Sequence, residues 1–341
     1  MSNALGVSIV VATRNRASLL PHCLRSLATQ TTEVPFEVIV VDNGSTDTTQ
    51  NDVQEWIRRD ERFRLLEEPK VGHSYAKNAG LRDARGELVL FTDDDVVVPD
   101  GWIATYVRFF DSHRPLRGLA GGPVLPIAHD LSSWPRWLSR SATADLPRLY
   151  CGSEERKLSD LDWLWGGNMA ARITYLREVG GFDENLGHSG GERGTFEDIE
   201  LADRLRTLGG EVWYCPEAIV YHRVASGASR PRSLARVAFS RGANDFLRAQ
   251  RGSYFEPAVG VPTGGLTAAL ALPMLFASWA LCAAAFRFID RPALFDLSRR
   301  AAWGSGWCMA ASTEGRSHRV KSRLRQIVSL ARSFALRLTP G

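Results

Sequence analysis

The stretch Leu88-Val-Leu-Phe-Thr-Asp-Asp-Asp95 joins a short apolar run to three consecutive carboxylates. An apolar run of this length is typical of a strand that is buried on both faces of a parallel sheet. Three adjacent acids are costly unless a cation lies among them, and a divalent cation with oxygen ligands is the simplest partner. The alternatives are a solvated acidic turn or a cap for a helix near Trp102. In this context we favour a strand that ends in a metal-binding edge.

Strand and helix patterns alternate on the N-terminal side of this stretch. The strand-like runs are Val7–Ala12, Phe36–Val41 and Phe63–Leu66, and the helical stretches between them are Leu19–Ala28, Trp56–Arg59 and Ser74–Ala84. This alternation predicts βαβ units and an α/β fold with a mostly parallel sheet flanked by helices. Ligands of such sheets bind beyond the carboxyl ends of the strands, where Asp42 and the Asp93–Asp95 cluster both fall.

Asp42 ends the second predicted strand and is followed by Asn43-Gly44-Ser45. Its carboxylate could hydrogen-bond a nucleobase or a ribose. The alternative is a simple Asx turn, because Asp, Asn and Gly all favour tight turns. The residue alone does not decide between these two interpretations.

The sequence from Gly118 to Arg223 is less regular. Glu197-Asp198 opens a predicted helix, where a carboxylate could act as a general base or simply cap the helix. His222 follows the predicted strand Ala218–Tyr221 and is either a metal ligand or an ordinary satisfied histidine. The glycine-rich stretch Gly187–Gly194 is either a loop that closes over a ligand or a plain surface loop.

The composition is that of a folded protein that works in a reducing compartment. The chain has 341 residues and a net charge of +4, with 44% hydrophobic and 23% charged residues. Its five cysteines are scattered without a CxxC pair, which argues against a disulfide framework or a zinc site. The N-terminus has no signal-peptide pattern, so a cytoplasmic catalytic domain is expected.

The C-terminal region combines an apolar stretch with a basic one. Leu266–Phe286 is apolar enough for a membrane-span candidate of roughly 20 residues. Arg316–Arg337 contains seven Lys or Arg residues and no acid, in a helical pattern suited to an anionic bilayer surface. No groove-reading pattern accompanies these residues, so no nucleic-acid partner is expected.

These two stretches constrain the topology. Positive-inside reasoning places the basic stretch in the cytosol, together with a catalytic domain that uses cytosolic substrates. A single membrane crossing at 266–286 would place the basic stretch and the catalytic domain on opposite sides of the membrane. We therefore expect a re-entrant or interfacial segment, or two crossings that also use Ala301–Ala311. The alternative is a buried helical hairpin.

Six motifs in this order resemble family 2 glycosyltransferases and together cover residues 7–222. They are Ser8-Ile-Val-Val-Ala-Thr-Arg-Asn15, Val40-Val-Asp-Asn-Gly-Ser-Thr-Asp47, Lys77-Asn-Ala-Gly80, Phe91-Thr-Asp-Asp-Asp95, Gly166-Gly-Asn168 and Phe196-Glu-Asp-Ile-Glu-Leu-Ala-Asp-Arg204. The resemblance implies a GT-A fold over residues 1–225, with a nucleotide-binding half at about 1–117 and an acceptor half at about 118–225. Residues 226–341 would form a helical C-terminal extension at the membrane.

The resemblance also implies an activity, namely inverting transfer of one hexose from a nucleotide diphosphate donor to an acceptor hydroxyl. A UDP-sugar is the favoured donor, the acceptor would be a lipid-linked or cell-surface glycan, and the cytoplasmic face of the membrane would be the location. Asp198 would be the general base, and Asp95 and His222 would bind Mg²⁺ or Mn²⁺. The residues implied around the donor are Thr13, Asp42, Asn78, Asp93, Asp94, Gly167, Asn168 and Glu197.

Two features refine this picture. The QxxRW motif of processive synthases is absent, since Gln250-Arg-Gly-Ser-Tyr254 does not fit it, which favours addition of a single sugar. Trp163 and Trp165 could stack on an acceptor sugar, or they could pack in the interior.

The sequence disfavours three other functions. A sugar nucleotidyltransferase would carry a glycine-rich phosphate loop, and Thr13-Arg-Asn-Arg16 lacks glycines. A dehydrogenase is disfavoured because no GxGxxG follows the first strand. A catalytically silent scaffold that binds nucleotide sugars at the membrane is disfavoured by the intact Asp95 and Asp198.

Overall fold

The computed structural model divides the chain into two compact units, 1–127 with 147–223 and 128–146 with 224–341. In the first unit it describes residues 6–127, 149–159, 162–189, 192–193 and 197–223. In the second it describes helical residues at 234–235, 237–239, 242, 275–281, 297–298, 300–302, 304–305 and 308.

An eight-stranded sheet forms the centre of the first unit, in the order β3-β2-β1-β4-β9-β6-β12-β8. Its strands are β1 (Val7–Thr13), β2 (Phe36–Asp42), β3 (Phe63–Glu67), β4 (Leu88–Asp93), β6 (Gly118–Gly121), β8 (Arg156–Lys157), β9 (Asn168–Arg172) and β12 (Glu211–Tyr214). The helices are α1 (Leu20–Ala28), α2 (Thr49–Arg59), α3 (His73–Asp83), α4 (Trp102–Ser112), α5 (Ile173–Glu178) and α6 (Glu197–Thr207).

The predicted parallel half of the sheet is confirmed. β3, β2, β1 and β4 lie parallel to one another, and β1 pairs with β2 and β4 along its length. Every residue of β1 and β2 is buried, as expected for strands covered on both faces. Helices α1 and α2 each bury one apolar side, whereas α3 is buried along most of its length, including Lys77 and Asn78.

The second half of the sheet mixes directions. β9 lies antiparallel between β4 and β6, and β12 pairs parallel with β6. The sequence pattern did not predict these strands, because they are only four or five residues long and lack a β-branched run.

A smaller three-stranded sheet joins β5 (Val96–Val97), β13 (Val220–Arg223) and β7 (Val124–Ile127). β13 pairs antiparallel with β5, so that His222 lies opposite Val96. A two-residue antiparallel pair, β10 (His188–Ser189) with β11 (Glu192–Arg193), lies in the glycine-rich stretch. The rest of that stretch, 190–191 and 194, lies outside the described residues.

The described part of the second unit is helical. Phe239, Phe276 and Trp279 pack their rings together, with centroids 5.8 to 6.0 Å apart. Among the helices that the structure describes, none combines the length and the apolar character needed to cross a bilayer. Most of the predicted span Leu266–Phe286 and all of the basic stretch Arg316–Arg337 lie outside the described residues.

A buried polar network ties the amino ends of β1 and β2 together. Glu37 accepts hydrogen bonds from Ser8 Oγ at 2.7 Å and from the backbone N–H of Arg85 at 2.9 Å. Its other oxygen pairs with Arg64 Nη2 at 2.7 Å, and Arg64 also pairs with Asp83 at 2.5 Å. The carboxylate of Glu37 therefore satisfies three donors that come from three different segments.

We expect Glu37→Ala to lower the free energy of unfolding by about 3 kcal/mol, because it leaves buried donors without an acceptor. The control is Glu55→Ala, which breaks the exposed pair with Arg59 and should change stability by less than about 0.5 kcal/mol. Urea denaturation of both variants measures the difference. Equal losses would contradict a structural role for the Glu37 network.

Candidate active site

Three strands bring polar side chains to one edge of the sheet. In register, Thr13 at the end of β1 lies opposite Asp42 of β2, and Ala12 lies opposite Asp93 of β4. Parallel strands present their carboxyl ends on the same side, so these residues lie side by side where α/β proteins bind ligands. The sequence placed Asp42 and the acid cluster at this edge, and the structure confirms that placement.

Asp42 and Thr13 present unsatisfied polar atoms at this edge. Asp42 Oδ2 accepts hydrogen bonds from Gln50 Nε2 at 2.8 Å and from the backbone N–H of Ser45 at 3.2 Å. Asp42 Oδ1 and Thr13 Oγ1 are buried and have no hydrogen-bond partner in the part of the chain that the structure describes. Buried polar atoms are normally hydrogen-bonded, so this pair is suited to a polar ligand.

The three acids after β4 have different surroundings. Asp94 is 7% exposed, and its Oδ1 lies 3.5 Å from Arg16 Nε. Burial, with the nearby charge of Asp95, raises the pKa of Asp94 to about 7. Asp93 Oδ2 accepts a long hydrogen bond, 3.4 Å, from Trp165 Nε1. Asp93 Oδ1 is buried and accepts no hydrogen bond from the described residues.

Asp95 and His222 form a close pair. The Asp95 Oδ1 to His222 Nε2 distance is 3.1 Å, and the backbone N–H of Arg223 donates to Asp95 O at 2.8 Å. Burial would raise the pKa of Asp95, but the hydrogen bond and charge of His222 outweigh it and lower that pKa. The pairing of β13 with β5 thus brings a distant histidine to the acid cluster.

These two side chains fit a divalent cation with few protein ligands. Adjacent ligands of an octahedral ion, each about 2.1 Å from it, lie about 3.0 Å apart, close to the separation of Asp95 and His222. Among the described residues, no group of three or more His, Cys, Asp or Glu side chains is arranged to hold a metal. An ion bound here would therefore need further ligands from a bound molecule or from water.

Helix α6 opens with two carboxylates that differ in chemistry, the buried Glu197 and the half-buried Asp198. Glu197 lies 2.9 Å from His73 Nδ1 and 3.5 Å from Lys77 Nζ, which is 2% exposed. Burial would raise the pKa of Glu197, but the charge of Lys77 and the hydrogen bond with His73 outweigh it and lower that pKa. The pKa of Asp198 is instead raised to about 6, first by burial and then by the charge of Glu197.

The loop before β9 holds Asp198 through its backbone. Asp198 Oδ2 accepts a hydrogen bond from the N–H of Gly166 at 2.9 Å, and Oδ1 accepts one from the N–H of Ile199 at 2.8 Å. A Cβ on Gly166 would lie 2.6 Å from Lys77 Nζ, and one on Gly167 would lie 2.2 Å from Asp93 Oδ2. Glycine at both positions allows this loop to pass between the carboxylates of β4 and α6.

Asn78 and Asn168, both predicted at the donor, are fully engaged within the protein. Asn78 exchanges hydrogen bonds with the backbone of Phe182, at 2.8 and 2.9 Å. Asn168 Oδ1 accepts from Trp102 Nε1 and Tyr106 OH, and its Nδ2 donates to the carbonyls of Pro123 and Ala218. These contacts give both amides a structural role, and contact with a donor stays a prediction.

Three further residues at this edge had no role in the sequence analysis. His73 and Lys77 contact Glu197, and Gln50 orients Asp42. Lys77 stood in one of the quoted motifs, whereas His73 and Gln50 carried no signal of spacing or composition. Trp165 is half-buried between Asp93 and His222, with its ring centroid 5.7 Å from that of His222 and 6.0 Å from that of Trp163.

Part of the chain matches a known family. The family described as "Glycosyl transferase family 2" matches residues 8–139, and over these residues the chain is similar to its members. A validoxylamine A glucosyltransferase of Streptomyces hygroscopicus is 30% identical over 224 residues, which are 60% of this chain and 52% of that protein. The chain spans about half the length of the first curated relatives that it matches, or somewhat less.

Solved structures of glycosyltransferases share the fold. A mannosyltransferase of Pyrobaculum calidifontis, in complex with GDP-Man and Mn²⁺, has a TM-score of 0.52 at 20% identity, covering 97% of this chain and 84% of its own. GalNAc-T7 with UDP, GalNAc and Mn²⁺ has a TM-score of 0.51 at 17% identity, covering 76% of this chain and 53% of its own. The predicted GT-A fold is thereby confirmed.

The raised pKa of Asp198 gives the protein a testable pH dependence of stability. Between pH 4 and 6 the folded state binds more protons at Asp198 than the unfolded state, so its contribution to stability falls as pH rises. We expect Asp198→Asn to be more stable than wild type at pH 7, by about 1 kcal/mol. The advantage should disappear below about pH 4, where the carboxyl is protonated in both states. Urea titrations of both proteins at pH 4, 5.5 and 7 measure this difference in stability. The same difference at all three pH values would contradict a raised pKa of Asp198.

Proposed function

We propose that this chain is a metal-dependent, inverting glycosyltransferase that moves one hexose from a UDP-sugar to an acceptor hydroxyl. The observation that carries the proposal is the juxtaposition at one sheet edge of three groups. They are Thr13 and Asp42 with their unsatisfied oxygens, the Asp95–His222 pair, and Asp198 with its raised pKa. Thr13 and Asp42 would contact the nucleobase, and the Asp95–His222 pair would hold the cation at the diphosphate. Asp198 would accept the proton of the attacking hydroxyl.

Asp42 and Thr13 would bind the nucleobase. An ionised carboxylate is only an acceptor, so Asp42 Oδ1 suits a base that presents a ring N–H, as uracil does. Thr13 Oγ1 can donate to a neighbouring carbonyl of the same ring. Guanine also presents ring N–H groups, and the two metal-bound structures compared above carry UDP and GDP-Man respectively. We favour UDP because a single carboxylate oxygen and one hydroxyl match the small face of uracil.

Asp95 and His222 would hold Mn²⁺ or Mg²⁺ together with oxygens of the diphosphate. Mg²⁺ in proteins is commonly bound by one or two carboxylates plus substrate phosphates, which agrees with a site of two protein ligands. When bound, such a cation offsets the charge that develops on the diphosphate leaving group. Asp93 and Asp94, beside this pair, would face the ribose and the diphosphate. Arg16, 3.5 Å from Asp94, limits the repulsion among the acids.

Asp198 would accept the proton of the acceptor hydroxyl as it attacks the anomeric carbon. A base with a pKa of about 6 is ionised at neutral pH and still basic enough to take a proton. The two backbone N–H groups that hold its oxygens fix its orientation. Because the attack is a single displacement, the configuration at the anomeric carbon inverts and no enzyme nucleophile is required.

The acceptor and the location of the enzyme follow from the C-terminal sequence. The apolar stretch 266–286 and the basic stretch 316–337 suit the cytoplasmic surface of a bilayer. We therefore propose a lipid-linked or membrane glycan as the acceptor, and addition of a single sugar.

A thermal-shift panel of UDP, GDP and dTDP, each with and without Mn²⁺, tests the donor site. We expect UDP with Mn²⁺ at a hundred times its dissociation constant to raise the Tm by about 3 °C or more. Asp95→Ala should abolish the metal-dependent part of this rise, because it removes one of the two proposed ligands.

The control is Asp111→Ala, which removes a carboxylate that is 54% exposed and pairs only locally with Arg114. This variant should respond as wild type does. Absence of a shift with all three nucleotides, in a protein whose folding is shown by circular dichroism, would overturn the donor site. Stabilisation by UDP without any hydrolysis of UDP-sugars would favour the silent scaffold.

A further inference from the structure

One side chain without an assigned role lies between the two halves of the site. His73 is the first residue of α3 and is 24% exposed. Its Nδ1 lies 2.9 Å from Glu197 Oε1 on α6, and its Nε2 lies 3.7 Å from Asp93 Oδ1 at the end of β4. The ring thus contacts Glu197 on α6, the helix that carries Asp198. It also approaches Asp93 at the carboxyl end of β4.

The backbone of His73 is anchored to the nucleotide side of the sheet. The N–H of Gly72 donates to Asn43 Oδ1 at 2.7 Å, and Asn43 Nδ2 donates to the carbonyls of Glu68 and Lys70. Gly72 has a φ of 154°, a conformation that favours glycine. Because Asn43 directly follows Asp42, the start of α3 is positioned by the same strand end that would hold the base.

The charges around the ring determine which atoms donate. Glu197 is held as a carboxylate by Lys77 and His73, so the ring nitrogen that faces it must donate a proton. On the other side, the buried Asp93 Oδ1 accepts no hydrogen bond from the described residues. The 3.7 Å gap to His73 Nε2 exceeds a hydrogen bond by less than 1 Å.

We propose that His73 is a positioning residue that links Asp93, at the end of β4, to the helix that carries Asp198. As the imidazolium its ring would donate from Nδ1 to Glu197 and, when the donor binds, from Nε2 to Asp93. This inference rests on the proposed function. Its consequence is that the orientation of Asp93 at the donor and the orientation of α6, which carries Asp198, depend on one ring. Removal of either nitrogen would take one holding contact from the corresponding carboxylate, which would keep Lys77 or Trp165 as a neighbour.

Two conservative variants separate the two contacts. The amide nitrogen of asparagine occupies nearly the position of Nδ1, and that of glutamine nearly the position of Nε2. His73→Asn therefore keeps the bond to Glu197 and loses the contact with Asp93. His73→Gln keeps the contact with Asp93 and loses the bond to Glu197. If His73 served only to begin α3, the two variants would have similar effects on UDP binding and on turnover.

With UDP and Mn²⁺ as the probe, we expect His73→Asn to weaken UDP binding about tenfold in isothermal titration, with kcat changed less than about threefold. His73→Gln should lower kcat about tenfold or more while UDP affinity stays within about twofold. Turnover is measured as UDP release from UDP-glucose or UDP-N-acetylglucosamine, whichever wild type hydrolyses faster. Equal effects of the two variants on both quantities, or no effect of either, would overturn the proposal.

The matched control is His113, whose Nε2 lies 3.3 Å from Glu155 Oε1 and which is 22% exposed. It ends a helix as His73 begins one, outside the acid cluster, so His113→Asn and His113→Gln should leave UDP affinity and turnover unchanged.

A nucleotide-independent measurement distinguishes failure of this inference from failure of the proposed function. In a protein with ¹⁵N-labelled histidine, the Nδ1 proton of His73 should give a protected NMR signal that is lost in Glu197→Ala. Its Nε2 resonance should shift in Asp93→Ala. If wild type binds neither UDP nor GDP, the proposed function fails, and these spectra still show whether His73 donates to Glu197 and lies beside Asp93. If the His73 signals are unchanged in both Glu197→Ala and Asp93→Ala, the proposed link through His73 is refuted.

Discussion

The parallel pairing of β1 between β2 and β4 is the constraint on which the candidate site depends. The pairing aligns Thr13 with Asp42 and Ala12 with Asp93, so strand ends that lie about thirty and eighty residues apart in sequence meet at one edge. A shift of one residue in this register would turn these side chains toward the opposite face of the sheet. The buried network around Glu37 at the opposite end of the strands stabilises the same register.

A concentration of acids at that edge requires cations, and the chain supplies them from several elements. Arg16 lies beside Asp94, His222 beside Asp95, and Lys77 beside Glu197. Asp198 and Asp94 differ from Asp95 and Glu197, because burial outweighs the other influences on them and raises their pKa. One edge therefore combines two carboxylates whose pKa is lowered by neighbouring side chains with Asp198, a carboxylate suited to accept a proton.

Much of the first half of the fold was predictable because continuous apolar runs mark β1, β2 and β4 and because polar residues follow each run. The antiparallel β9 and the short β6 and β12 were not, since their few residues carry no periodicity and their pairing depends on tertiary contacts. Motif positions were also more predictable than their roles. Asn78 and Asn168 stand in motifs, yet their amides are engaged in buried hydrogen bonds within the protein. The role proposed for His73 could be inferred only from the structure, which places its ring between two carboxylates.

The central claim is that Asp95 and His222 bind the cation of a nucleotide diphosphate at this edge. A crystal structure with UDP and Mn²⁺, in which anomalous scattering locates the manganese, tests it most directly. The account predicts manganese between the carboxylate of Asp95, Nε2 of His222 and the diphosphate, with uracil against Asp42 and Thr13. Manganese held by other residues, or UDP bound away from the carboxyl ends of β1, β2 and β4, would contradict it.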